Sequence, residues 1–172
     1  MSERTITWDV PTRIIHWVLA ALIVANLFVV EGDDSIAHQW IGYAAAFMVM
    51  VRGVWGVIGG EPSRFRSFPL TLSELMAFAR GFFTLSPKKD YPGHNPIASW
   101  TYIGIWAVVI ALGVSGWMMT LDAFWGNEIL EETHEVFTKV LQLLILGHFV
   151  GMTLDAVKYK RKTWFAMMRG WR

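Results

Sequence analysis

The sequence predicts an all-α integral membrane four-helix bundle, with a cytoplasmic surface helix in the central loop and a basic amphipathic C-terminal tail. Three observations lead there. Hydrophobic residues fill 54% of the 172 positions and the mean hydropathy is +0.39, too apolar for an ordinary soluble domain of this length. Four apolar runs of spanning length are separated by connections that carry most of the charge. Ten tryptophans add the residue type that concentrates at bilayer interfaces. A single domain over residues 1–172 is expected, with spans at about 12–30, 38–58, 97–119 and 134–157.

The first span starts where Trp8-Asp9-Val10-Pro11-Thr12 supplies a capping residue and an early proline. Its apolar run contains His16 near the start and Asn26 near the end, and the acidic Glu31-Gly32-Asp33-Asp34 closes it. No small-residue cleavage site precedes that turn, so this span reads as retained rather than as a cleaved signal. The second span opens at His38 and carries Gly42, Ala45, Ala46, Gly53 and Gly56 on or beside one stripe. Small residues there suit either close helix packing or a flat group lying against the backbone. Arg52 follows His38 by fourteen residues, at the far membrane level, where a guanidinium needs an anionic partner.

In the long central connection, Thr71-Leu72-Ser73-Glu74 has capping-box spacing. Leu72, Leu75, Met76, Ala79, Phe82 and Phe83 then recur at helical intervals, as in a helix lying on the membrane surface. His94 stands in the loop that follows, and Asn95-Pro96 is a cap followed by a first helical residue. The third span has neither charge nor histidine and reads as support, with Gly104, Gly113, Ser115 and Gly116 suited to close packing. An acidic connection, Asp122–Glu132, leads to the fourth span, and the tail interleaves Lys160, Arg161, Lys162, Arg169 and Arg172 with aromatics, as suits an anionic leaflet.

Arg4, Arg13, Arg64, Arg66, Arg80, Lys88, Lys89 and the basic tail all fall in the N-terminus, the central loop and the C-terminus. By the positive-inside rule both ends are then cytoplasmic. Nothing in this pattern points to nucleic acid. The absence of cysteine excludes disulfides, cysteine-ligated zinc, iron–sulfur clusters held by this chain, and thioether-attached haem.

Threading four spans through the bilayer pairs the histidines by level: His38 with His134 toward the outside, His16 with His148 toward the inside. His134 and His148 are fourteen residues apart, so on one helix they lie on nearly one face, roughly 21 Å apart along the axis. Ionisable groups inside a span are usually functional. Two imidazoles at each level are too few for zinc, and a proton relay would want carboxylates in the spans. Haem iron takes two axial imidazoles, and its propionates would pair with Arg52 and Arg13 on the inner side and Lys139 on the outer. Two haems b therefore account for the four histidines.

The chain also resembles the bacterial cytochrome b561 family, grouped with the b-type cytochrome subunits of nickel-iron hydrogenases. The likeness rests on the segment Trp8-Asp9-Val10-Pro11-Thr12-Arg13-Ile14-Ile15-His16-Trp17, on His38-Gln39-Trp40-Ile41-Gly42-Tyr43, on Arg52-Gly53-Val54-Trp55-Gly56, on Gly93-His94-Asn95-Pro96, and on His134-Glu135 with His148. It implies a four-helix di-haem cytochrome that passes electrons between membrane quinone and a redox partner, with His16, His38, His134 and His148 as axial ligands. A soluble cytochrome c with a basic face would suit the acidic outer connections. Two other readings stay open. One is a superoxide:quinone oxidoreductase working at the outer face, for which Lys139 is the only basic residue at that level; the other is an anchor subunit of a hydrogenase-like complex.

Overall fold

The computed structural model describes residues 8–30, 35–61, 63–83, 95–159 and 163–170. The expected acidic turn at Glu31–Asp34, the loop bearing His94, and the basic residues Arg4, Lys88, Lys89, Lys160, Arg161, Lys162 and Arg172 lie outside them. Among the described residues there is no strand, and the helices are α1 (Val10–Phe28), α2 (Ile36–Ile58), α3 (Leu72–Phe83), α4 (Pro96–Met119), α5 (Glu128–Tyr159) and α6 (Thr163–Arg169). Four of them, α1, α2, α4 and α5, are long and apolar enough to cross a membrane.

Side-chain caps fix where these helices begin. Asp9 accepts from the Thr12 amide at 2.9 Å to start α1, Ser35 accepts from the His38 amide at 3.1 Å to start α2, and Asn95 accepts from the Ala98 amide at 2.8 Å ahead of Pro96. Thr71 starts α3 as the capping-box spacing predicts: the Glu74 amide donates to Thr71 Oγ1, and that hydroxyl donates to Glu74 Oε2 at 2.7 Å. Helix α5 begins at Glu128, six residues ahead of the expected boundary at 134. Asn127 accepts from the Leu130 amide at 3.1 Å, and Glu128 and Glu131 occupy the first turn, where carboxylates offset the helix dipole. Hydropathy marks only the part of a helix that meets lipid, so this acidic extension reads as a loop in the sequence.

Backbone packing runs α1 against α2, α2 against α4 and α4 against α5, with no comparable contact between α1 and α5 or between α2 and α5. Leu19, Ile23, Ala45, Val49, Val109 and Leu141 form the core where the four spans converge. Leu141 stands seven residues from both His134 and His148, midway along the face they share. The outer surface is apolar instead of charged, with Val24, Phe47, Val54, Leu143 and Leu146 all exposed, as a bundle immersed in lipid requires.

Two spans approach closely at Gly113, where an added Cβ would stand 2.8 Å from the Ala46 Cβ. The stripe of small residues on α2 therefore serves helix packing at Ala46. The neighbouring atom belongs to a short, rigid side chain, so the helices themselves must move to admit a methyl group. Gly113→Ala is expected to destabilise the α2–α4 contact by about 1–3 kcal/mol, read as a lower thermal midpoint of the detergent-solubilised protein.

Candidate functional site

The two pairs of histidines expected from their membrane levels come together in the fold. The ring centroids of His38 and His134 are 6.3 Å apart with planes inclined at 60°, and those of His16 and His148 are 6.5 Å apart, inclined at 53°. All four side chains are half-buried. Each pair joins two helices that do not pack closely on one another, α2 with α5 and α1 with α5, so the imidazoles face each other across a gap between backbones. An added Cβ at Gly147 or Gly151 meets nothing within 4 Å, so open space borders His148 on its own helix. Among the described residues no three His, Cys, Asp or Glu side chains cluster as a metal site would need. Two donors per level is the arrangement, and a metal held in line by two imidazoles with bonds of about 2 Å separates the ring centroids by about 6–6.5 Å.

The histidines differ in what holds them. His134 Nδ1 lies 2.8 Å from Ser115 Oγ, near the C-terminal end of α4. The ring also sits over Gly116, whose missing side chain leaves 3.5 Å to His134 Cε1. His148 packs edge-on against Tyr102 at 5.6 Å between centroids. By contrast, His16 Nδ1 is buried with no hydrogen-bond partner among the described residues. Helix α4, read from the sequence as support alone, thus touches one histidine of each pair. Ser115 and Tyr102 escaped the sequence reading because a serine among glycines looks like a packing residue and a tyrosine in a span like an interfacial one.

Arg52 is 4% exposed, deep at the end of α2 nearest His16 and His148. Its Nη2 donates to the Ser63 carbonyl at 2.9 Å, and the guanidinium stands 5.0 Å from the Trp106 ring centre, 5.5 Å from Phe65 and 5.9 Å from Phe68. Trp106 in turn stacks on Tyr102, which touches His148, so the arginine cage and the imidazole pair share one aromatic wall. Arg52 Nη1 is buried without a partner among the described residues. A buried donor left unmatched costs free energy, so an acceptor brought to this atom would be stabilised there.

The other two cations singled out in the sequence are engaged. Arg13 donates through Nε to the Met167 carbonyl at 3.1 Å and through Nη2 to the Met168 carbonyl, and Trp17 Nε1 also donates to the Met167 carbonyl at 3.2 Å. These bonds occupy the last carbonyls of α6 and tie the C-terminal helix to α1. Gly170 ends α6 with φ +75°, and its carbonyl accepts from the Trp8 amide at 3.2 Å. Lys139 pairs with Glu135 at 2.7 Å on an exposed face. It is the same cation on which the superoxide reading depends.

A polar knot closes the end of the bundle where α1 begins and α2 ends. Thr12 Oγ1 donates to Ser63 Oγ at 2.8 Å, Trp55 Nε1 donates to Asp9 Oδ2 at 3.0 Å, and Arg52 holds the Ser63 carbonyl. Asp9, Thr12, Arg52 and Trp55, four residues of the segments that carry the family resemblance, meet here. Burial on its own would raise the Asp9 carboxyl, but hydrogen bonds with Thr12, Trp55 and Ser63 outweigh it and hold the group below its ordinary 3.8.

An apolar-surfaced four-helix bundle with imidazoles paired across its interior is the build of a membrane-embedded b-type cytochrome. The sequence matches the family described as prokaryotic cytochrome b561 over residues 7–170, and the chain belongs to that family. It is a multi-pass transmembrane b-type cytochrome of electron transfer, from a family that binds haem b. No curated protein and no solved structure matches the chain.

A folded carboxyl held below its unfolded value adds stability that is present above the unfolded value and lost as the pH falls through the folded one. Asp9→Ala should therefore lower the thermal midpoint at neutral pH, by the equivalent of about 0.5–2 kcal/mol for a lost cap. It should also flatten the fall in stability that the wild type shows below pH 4, read from melting curves between pH 7 and pH 2.

Proposed function

We propose that this cytochrome carries electrons across the membrane between quinone and a redox partner through two haems b, one held by His38 and His134 and the other by His16 and His148. The observation that carries the proposal is the pair of ring separations, 6.3 Å and 6.5 Å, each of the size that one in-line metal imposes. When bound, haem supplies a one-electron centre whose potential responds to axial ligands, hydrogen bonds, burial and nearby charge.

This chain's own residues do the rest. The imidazoles hold each iron, and the fourteen residues from His134 to His148 set the two levels about 21 Å apart along α5. The core around Leu19, Val49 and Leu141 fills the interval between the levels with apolar side chains and keeps water out of it. Arg52 offers its unmatched Nη1 to a propionate of the haem at His16 and His148, held in place by Ser63 and three aromatic rings. Arg13 and Lys139 would each have to leave a present partner to serve a propionate, so Arg52 takes that role first. The start of α1 and the C-terminal helix α6, tied together through Trp8 and Arg13, lie on the cytoplasmic side by the positive-inside rule, with the acidic start of α5 facing outward toward a basic redox partner.

Haem counting tests the assignment. Pyridine haemochrome analysis of the purified protein should give two haems per chain, falling to about one in His16→Ala and in His134→Ala; a chain that keeps both haems in either variant defeats it. A buried cation beside a porphyrin favours the reduced state, so Arg52→Gln should lower the midpoint potential of one haem, the one lost in His16→Ala. An unchanged potential in potentiometric titration would remove the propionate role.

A further inference from the structure

We propose that Ser115 is a positioning residue that fixes the tautomer and orientation of His134 and lowers the potential of the haem bound there, an inference that rests on haem binding between His38 and His134. Three observations on α4 and α5 lead to it. Ser115 is 5% exposed, and its Oγ lies 2.9 Å from the Ala111 carbonyl and 3.2 Å from the Leu112 carbonyl, both of which accept its hydroxyl proton. A hydroxyl has one proton, so with that proton turned back to the helix, Oγ faces His134 Nδ1 at 2.8 Å with a lone pair. His134 must then carry its own proton on Nδ1, which leaves the lone pair on Nε2 as the donor for iron. The ring also lies beside Gly116, where an added Cβ would stand 3.5 Å from His134 Cε1, in ordinary contact.

An imidazole that donates from its far nitrogen is a more basic ligand, and a more basic ligand favours ferric over ferrous iron. The effect belongs to one haem only. At the other level, His16 Nδ1 has no such acceptor among the described residues, and the cation Arg52 lies close by. Both differences push the two potentials apart in the same direction: the haem of His38 and His134 is the lower, and that of His16 and His148 the higher. Electrons entering at the His38 and His134 level would then run downhill to the other.

The test is a potentiometric titration of the detergent-purified holoprotein, with low-spin ferric EPR spectra recorded alongside, on wild type, Ser115→Ala, Ser115→Thr and Ser115→Val. The component missing from His134→Ala identifies the haem to be followed. Ser115→Ala should raise the midpoint of that component, shift its ferric g-values and leave the other component unchanged. Ser115→Thr keeps the hydroxyl and should behave as wild type. Ser115→Val, of the same shape as threonine without the hydroxyl, should follow Ser115→Ala. Loss of this one haem in the alanine and valine variants with retention in the threonine variant would equally support the hydrogen bond. The inference is overturned if the midpoint is the same in wild type, Ser115→Ala and Ser115→Val, or if threonine shifts the potential or loses the haem as alanine does. These outcomes differ from failure of the haem assignment itself, which would appear as fewer than two haems in the wild type or no loss in His134→Ala.

Discussion

A polar atom inside a lipid-embedded bundle can find a partner only within the protein or on a group the protein binds, and this constraint organises the whole molecule. At the end where α1 begins, Asp9, Thr12, Trp55 and Ser63 satisfy one another, and Arg13 and Trp17 occupy the last carbonyls of α6. Near the opposite end of the spans, Ser115 Oγ reaches both the Ala111 carbonyl of its own helix and His134 Nδ1. The exceptions are His16 Nδ1, Asn26 Oδ1, Arg52 Nη1 and Ser99 Oγ, buried atoms without a partner among the described residues. Two of the four, on His16 and Arg52, sit at one imidazole level, where a propionate-bearing cofactor would meet at least the arginine.

The geometry of that level follows from helix periodicity more than from any single contact. Fourteen residues are close to four turns, so the spacing that places His134 and His148 on one face of α5 also places His38 and Arg52 on one face of α2. The residues between them on those faces, Leu141 on α5 and Ala45 and Val49 on α2, are the apolar core. One periodic stripe therefore sets the two polar levels and the dry interval between them. The connectivity supports this, since α4 packs on both α2 and α5 and stands between the two helices that carry His38 and His134.

Much of this was legible in the sequence, and the limits of that legibility have physical causes. Hydropathy located the four spans to within two residues at most ends, because lipid-facing segments are apolar all round. It missed the first six residues of α5, because a helix outside the lipid carries no hydropathy signal and Asn127 supplies its cap from a loop. The histidine levels could be paired by counting residues from the membrane edges, since rise per residue is nearly constant. Side-chain partners across helices could not be read that way. Arg13 looked available for a cofactor until α6 supplied its carbonyls, and Lys139 until Glu135, one turn earlier, supplied its carboxylate. Ser115 was legible as a small residue but not as a partner of His134, because that contact depends on how α4 packs against α5.

The asymmetry between the two levels has a consequence for how such a bundle moves charge. On the proposed assignment, the hydrogen-bonded ring of His134 and the glutamates Glu128, Glu131, Glu132 and Glu135 that open α5 above it would both favour an oxidised centre. At the other level a desolvated guanidinium in an aromatic cage would favour a reduced one, and its burial keeps it unscreened by salt. A symmetric pair of sites would share an electron evenly and give it no preferred side. Here Ser115 on α4, Arg52 on α2 and the glutamates that open α5 distinguish the two levels, and all three helices also pack the core. On the proposed assignment, the slope along which an electron would travel is carried by the same helices that pack the core, so that packing and redox bias would be specified together.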